Sequence, residues 1–345
     1  MIRIGIICPS EIATRRFLPA IQNAPFINFI GVAVANKQEW IGVKDEVLDA
    51  EHKKAASIIN QFGGRVFDGY HAMIESDDID AVYLPLPPGL HYQWAKLALM
   101  NGKHVLVEKP CSTKMENTQE LISIAREKHL ALHENYMFVF HNQLEEINQV
   151  VVDGEIGDVR LYRISFGFPL RAKNDFRYNP HLGGGALLDC GGYTLRYASE
   201  LLGDTARLVC AQSNNIDNYS VDMYGSATLV NDNGLTAQVS FGMDNDYKCE
   251  LEIWGSHGTI YSGRILTAPE GFVPEMQIKK NGIVESRKLS ADDAFLKSIK
   301  RFNECVNQSA IREANYDIIF RQSRMVDEFI NLSNYSLNSQ CKSVY

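Results

Sequence analysis

The chain has no C-x-x-C pair, no cluster of basic residues, no long apolar run and no glycine-rich loop behind its first apolar segment. Each absence removes a class of protein. The seven cysteines (Cys8, Cys111, Cys190, Cys210, Cys249, Cys305, Cys341) are scattered and odd in number, so neither a disulfide framework nor a zinc knuckle is indicated, and a reducing cytoplasm is the expected compartment. Lysine and arginine total 34 against 42 aspartates and glutamates, a net charge of -8, which excludes a general nucleic-acid binder, because phosphate backbones are held by concentrated cations. No apolar run approaches the roughly 18 residues of a membrane span, and the apolar start Met1-Ile-Arg-Ile-Gly-Ile-Ile-Cys8 is too short for a signal peptide. A soluble protein that is not exported is expected. His133, His141 and His181 have no ligand-like spacing with cysteines or carboxylates, so no metal is expected.

What is present describes an ordinary globular chain, 45% hydrophobic and 22% charged, whose 345 residues exceed one compact core and suggest two domains. Over residues 1–135, short β-branched runs at 2–8, 29–35, 81–86, 104–107 and 131–134 alternate with helical periodicity, as in Ile12-Phe17-Ile21 and Tyr92-Ala95-Leu99. That pattern predicts an α/β domain built on a doubly wound parallel sheet. Residues 136–345 change character. After a helical stretch near 142–153, longer alternating strands are predicted at 159–168, 207–213, 221–230, 235–243 and 249–255, with a turn at Asn231-Asp-Asn-Gly234 and two helices over 292–334. The second domain is therefore expected to be α+β, with a large, open, mainly antiparallel sheet. Alternation along 221–230 and 235–243 gives that sheet one apolar face, which must meet either its own helices or another subunit.

A dinucleotide-binding turn joins the first strand to a helix through glycines that let the backbone approach a pyrophosphate. Here the place is held by Cys8-Pro9-Ser10-Glu11-Ile12-Ala13, with only the small Ala13 matching the fingerprint. Two readings stand side by side: a degenerate cofactor loop, or a plain strand-to-helix connection capped by Ser10. Beyond the second strand lies Ala35-Asn36-Lys37, with no carboxylate to bind the ribose hydroxyls of NAD and a cation suited to the extra phosphate of NADP. NADP is preferred over NAD on that ground; the alternative is that Asn36 and Lys37 are solvated loop residues.

The segments Leu84-Pro-Leu-Pro-Pro-Gly-Leu-His91 and Gly102-Lys-His-Val-Leu-Val-Glu-Lys-Pro110 follow the strands at 81–86 and 104–107, at the carboxyl edge where open α/β sheets bind ligands. With Gly183-Gly-Gly-Ala-Leu-Leu-Asp-Cys-Gly-Gly-Tyr193 they resemble the Gfo/Idh/MocA oxidoreductases over nearly the whole chain. Ile12-Ala-Thr-Arg-Arg-Phe-Leu-Pro19, Tyr83-Leu-Pro-Leu-Pro87, Glu134-Asn-Tyr-Met-Phe138 and Asp175-Phe-Arg-Tyr178 are similar to the branch of nucleotide-sugar 3-ketoreductases, with NADP-dependent xylose and dihydrodiol dehydrogenases as cousins. The resemblance implies a Rossmann first domain. It implies cofactor contacts from Cys8, Pro9, Ser10, Glu11, Ile12, Asn36, Lys37, Leu84, Pro85, Leu86, Pro87, His91, Glu108, Lys109 and Asn135. It also implies substrate contacts from Lys109, Arg177, Tyr178, Asp189 and Tyr193, and a homodimer or homotetramer formed through the open sheet.

Reducing a ketone by hydride requires a proton donor and a positive field for the developing alkoxide. The resemblance puts Lys109 at the reacting centre, and Pro110 ends strand hydrogen bonding there. Many members carry Asp-x-Gly-x-His; this sequence reads Asp189-Cys-Gly-Gly-Tyr193, with a phenol in place of imidazole. The expected division of labour has Tyr193 as proton donor, Lys109 polarising the carbonyl and favouring the phenolate, and Asp189 orienting a sugar hydroxyl or Lys109. Against these stand plainer readings: Asp189 caps the following helix, Tyr193 is a core aromatic, Arg177 is solvated instead of holding a diphosphate, and His91 and Glu108 are structural. Three functions remain: a nucleotide-sugar 3-ketoreductase, an NADP-dependent dehydrogenase of a free aldose, cyclitol or trans-dihydrodiol, and a non-catalytic NADP-binding regulator.

Overall fold

The structure, a computed structural model, describes residues 1–340, so Cys341 lies outside the described residues. The chain forms two compact units. The first contains Met1–Tyr136 together with Phe295–Phe320, and the second contains Met137–Ala294 and, among the described residues, 321–340.

The first unit is built on β1 (Ile2–Ile7), β2 (Ile27–Val34), β3 (Arg65–Asp68), β4 (Ala81–Leu84), β5 (His104–Glu108) and β6 (Leu132–Asn135). Their order is β3-β2-β1-β4-β5-β6 with every neighbouring pair parallel, the doubly wound arrangement of a Rossmann fold. The strand order reverses between β1 and β4, which opens a crevice at the carboxyl edge. The helices α1 (Leu18–Gln22), α2 (Asp45–Phe62), α3 (Tyr70–Ile74), α4 (Pro88–Met100) and α5 (Met115–Glu127) make the crossovers. Helices on both faces explain the continuous apolar runs: all four residues of β4 are buried, as are Ile6 and Ile7 side by side in β1.

Sequence periodicity located the two C-terminal helices, α8 (Ala294–Asn307) and α9 (Ser309–Gln340), and assigned them to a second domain beginning at 136. The structure instead returns Phe295–Phe320 to the first unit. The cause is packing with distant residues. Tyr316 and Ile319 join the core made by α4, α5 and the parallel strands, and Tyr316 donates to the carbonyl of Leu130. Ser298 and Asn315 bond to side chains of β6.

The second unit holds α6 (Asn142–Val152), α7 (Gly192–Leu202) and eight strands: β7 (Val159–Gly167), β8 (Arg207–Asn214), β9 (Tyr224–Val230), β10 (Thr236–Gly242), β11 (Lys248–Gly255), β12 (Thr259–Gly263), β13 (Glu275–Lys280) and β14 (Ile283–Lys288). Their order is β14-β13-β12-β11-β7-β10-β9-β8, antiparallel except for the β7/β10 pair. The β9–β10 turn forms as its residues require: the Asn231 side chain accepts from Asn233 N and Leu235 N, and Gly234 takes φ +80°. The apolar face is covered by the unit's own helices, since α7 packs on β7 and β10 and Phe241 lies 5.5 Å from Phe329 of α9. β3 and β12 to β14 carry too many charges or too short an alternation to be read from sequence. Among the described residues no helix is long and apolar enough to cross a membrane.

Candidate active site

In the first unit the sequence-predicted residues gather along the carboxyl edge of the parallel sheet. Cys8 follows β1 with φ +87°, a left-handed conformation that a non-glycine residue adopts at a cost of roughly 1 kcal/mol or more. That is the backbone the first glycine of a dinucleotide turn supplies. Ser10 Oγ accepts from Ala13 N at 3.2 Å and Ala13 is fully buried. Ser10 thus caps the helical turn, and Cys8 takes the left-handed conformation that favours glycine at the first position of a dinucleotide turn. Burial pushes the Cys8 thiol up to about 12, so it stays protonated.

After β2, Asn36 Oδ1 accepts from Gln38 N and Glu39 N, which folds the loop on itself. Lys37 Nζ sits 2.6 Å from Asp45, both largely exposed, a pairing worth little in water. Sequence reasoning missed Glu39. Its carboxylate accepts from Asn36 N, Tyr70 N and His71 N at 3.1, 2.9 and 2.8 Å and pairs with the His71 ring at 2.7 Å. Burial pushes its pKa up, but the His71, Tyr70 and Asn36 bonds outweigh this and hold it below the usual carboxylate value. The nearest carboxylate beyond β2 is thus tied to its own loop at Asn36 and to the start of α3.

Leu84, Pro85 and Leu86 are buried, Pro87 is partly so, and the segment is tied to the next strand end by His91. That ring is fully buried, with Nδ1 2.7 Å from the carbonyl of Pro110 and Nε2 2.7 Å from that of Leu86. Burial outweighs the two carbonyls, which favour the charged ring, and with the Lys109 charge pushes His91 down to about 4. His91 acts by holding the Lys109–Pro110 segment, whose peptide bond is cis, against the loop after β4. Cys111 N donates to Glu134 at 2.6 Å, a second tie on this segment that sequence reasoning missed.

Glu108, at the end of β5, accepts from the Tyr83 hydroxyl at 2.6 Å and from the Asn135 amide at 2.7 Å. Burial raises its pKa against these bonds, the Lys109 charge and the Lys109 backbone N–H. Lys109 is partly exposed beside it.

In the second unit a different centre forms. Arg177 Nε donates to Asp189 at 2.6 Å and Nη1 to Asp175 at 3.2 Å. Burial lowers the guanidinium pKa, but the two carboxylates more than reverse this, and one cation between two anions leaves local charge negative. The solvated arginine anticipated as one alternative is not found, and the guanidinium is committed before any diphosphate arrives. The glycine run is explained by close approach: a Cβ on Gly184 would lie 2.4 Å from the Arg177 carbonyl, and one on Gly185 (φ +119°) 2.2 Å from Asp222 Oδ1. Asp222 accepts from Leu187 N at 2.7 Å and so caps the helical turn Leu187–Gly191 that runs into α7. The capping residue lies more than thirty positions downstream, where no local motif marks it.

Tyr193 is 9% exposed, its ring 5.5 Å from Phe166 and 5.6 Å from Phe138. Tyr178 accepts from Arg171 N at 2.7 Å and lies 4.8 Å from Tyr219. The cysteines at 8, 111, 190, 210, 249 and 305 are free thiols.

Residues 2–136 match the family model described as oxidoreductase family, NAD-binding Rossmann fold, and residues 144–261 match the GFO/IDH/MocA C-terminal domain. The chain is 37% identical over 327 residues to dTDP-3,4-didehydro-2,6-dideoxy-alpha-D-glucose 3-reductase of Actinomadura kijaniata, covering 94% of each protein. It is 26% identical to D-xylose 1-dehydrogenase (NADP(+)) 2 of Haloferax volcanii over 88% of each. A crystal structure of a 3-ketoreductase from Actinomadura kijaniata in complex with NADP and TDP-benzene superposes with a TM-score of 0.87 at 35% identity, over 96% of this chain and 97% of that one.

Proposed function

Because the chain belongs to the GFO/IDH/MocA oxidoreductase family, we propose that it is an NADPH-dependent reductase of the C3 carbonyl of a nucleotide-activated deoxysugar. The full-length likeness to the Actinomadura kijaniata reductase carries this reading. The residues of the first unit fit NADP: the left-handed Cys8, the buried Ala13, and a β2 loop with Asn36 and Lys37 at the ribose position while Glu39 is tied back. A reduced nicotinamide, when bound, supplies the hydride.

The rest is done by side chains. Lys109, presented at the end of β5, polarises the substrate carbonyl and stabilises the alkoxide that develops on it. Tyr193 donates its phenolic proton to that oxygen. Asp189 orients a sugar hydroxyl, and Arg177 holds Asp189 in place instead of binding the diphosphate itself. The same tyrosine accepts the proton in the oxidative direction.

NADPH oxidation measured with a panel of carbonyl substrates tests this reading. We expect kcat/KM for a thymidine-diphosphate-linked 3-ketosugar to exceed that for free aldoses and a trans-dihydrodiol by about 10²-fold or more. Equal values would remove the nucleotide from the substrate. Tight NADPH binding without turnover on any carbonyl would remove the enzyme reading.

A further inference from the structure

The loop between β2 and α2 holds a single carboxylate before Asp45, that of Glu39, and its side chain is only 3% exposed. Oε2 accepts from Asn36 N at 3.1 Å and from Tyr70 N at 2.9 Å. Oε1 accepts from His71 N at 2.8 Å and lies 2.7 Å from His71 Nδ1. A carboxylate offers about four lone-pair sites. The loop and the start of α3 occupy all of them, so Glu39 has none left for a pair of ribose hydroxyls.

The same bonds fix the shape of the loop. Asn36 Oδ1 is consumed by Gln38 N and Glu39 N, and Trp40 N returns to the Asn36 carbonyl at 3.0 Å. Gly69 permits the loop to approach α3: a Cβ there, at φ +106°, would lie 2.8 Å from Asn36 Nδ2 and 3.3 Å from both Glu39 oxygens. Tyr70, whose backbone N–H holds Glu39, buries its ring in the core that Cys8 lines, so the loop after β2 and the turn after β1 share one anchor. Donors are what this folded loop leaves over. Asn36 Nδ2 and Lys37 N–H have no acceptor among the described residues, and the Lys37 ammonium sits in a solvent-exposed pair with Asp45. Two N–H groups beside a cation suit a phosphate.

We propose that Glu39 is a specificity-determining positioning residue for the cofactor: bound to Asn36, Tyr70 and His71, it sets the loop so that Asn36 and Lys37 meet the 2′-phosphate of NADP, and it withholds the carboxylate that would favour NAD. This role rests on NADP being the cofactor, and the sugar substrate does not enter it. Because the loop is ordered before the cofactor arrives, binding does not bear the cost of ordering it. A carboxylate acting by charge alone would repel the phosphate, and its removal would tighten binding; a positioning carboxylate does the opposite.

Calorimetric titration of the full chain with adenosine 2′,5′-bisphosphate and with AMP reads the phosphate contact without the nicotinamide. We expect the wild type to bind the bisphosphate about tenfold more tightly than AMP, or better. Glu39→Gln keeps the size but turns an NH2 toward backbone N–H groups. It should raise Kd for the bisphosphate about tenfold and leave that for AMP within about twofold. Glu39→Asp keeps the charge on a shorter arm and should lose the same selectivity, and it carries the test should Glu39→Gln fail to fold. Lys37→Ala should lose selectivity as well, and joined to Glu39→Gln it should cost less than the product of the two single losses. Equal wild-type affinity for the two ligands overturns the phosphate site and this role with it. A wild-type preference that survives in the Glu39 variants, tighter bisphosphate binding in Glu39→Gln, or fully multiplicative losses overturns the role of Glu39 alone.

Discussion

In β1 of the first unit the neighbours Ile6 and Ile7 are both fully buried, whereas in β9 of the second unit exposed Ser226 precedes buried Ala227. The parallel sheet is covered on both faces, so the only place left for chemistry is its edge, where strand ends present backbone groups and Lys109. The antiparallel sheet is covered on one face by α7 and by α9 around Phe329, and its candidate residues come from the chain leading into α7 and from the first turn of α7. The charged centres differ in kind as well. Glu108 is satisfied by neutral donors in a desolvated network; Asp189 is satisfied by an arginine that it shares with Asp175. On the proposed function, one unit holds the cofactor and the other presents polar groups to the substrate.

The largest expected effect separates these tasks. Tyr193→Phe should lower kcat by about 10²- to 10⁴-fold while Kd for NADPH, a property assigned to the first unit, stays within about twofold, as read by steady-state kinetics and fluorescence titration. Near wild-type turnover would return Tyr193 to its role as a core aromatic. Next in size, Ile6→Ala and Ile7→Ala, on opposite faces of β1, should each cost about 3 kcal/mol in urea unfolding, while Ser226→Ala should stay within about 0.5 kcal/mol. A large cost at Ser226 would mean that the polar face of the second sheet is covered too.

Arg177→Met leaves Asp175 and Asp189 facing each other without their cation. A loss of about 2 kcal/mol in chemical denaturation is expected. The smallest effect concerns Glu39. Its pKa lies below the ordinary carboxylate value of 4.5, so its contribution is present at neutral pH and fades as pH falls through its folded-state value. Glu39→Gln should therefore be less stable than wild type by about 1 kcal/mol at pH 7, and the gap should close below pH 4.5. A gap that persists at pH 3 would mean packing, not charge, sets the effect.

Five of the six parallel strands were legible because a doubly covered strand carries apolar residues side by side, as in Ile6-Ile7 of β1 and all of β4. The missed β3 is an exposed edge strand of four residues, two of them charged, and its pattern carries no period. Among candidate site residues, Lys109, Tyr193 and Asp189 were singled out through the Glu-Lys-Pro and glycine-run motifs, while Glu39, Glu134 and Asp222 were not. Each of those acts on a backbone N–H, a partner that leaves no trace in side-chain spacing. The glycine run was legible as a motif, yet its cause, the approach of Arg177 and Asp222, was not.

By itself the sequence determined the strand and helix periods, the Asn231–Gly234 turn, the lack of a carboxylate directly beyond β2 and the positions of the motif residues. All of these are set by neighbours a few residues apart. Only the tertiary structure decided that Phe295–Phe320 completes the first unit and that Arg177 is already committed to two carboxylates. Those outcomes depend on donors meeting acceptors across more than a hundred residues of chain, or across turns whose path no local period encodes.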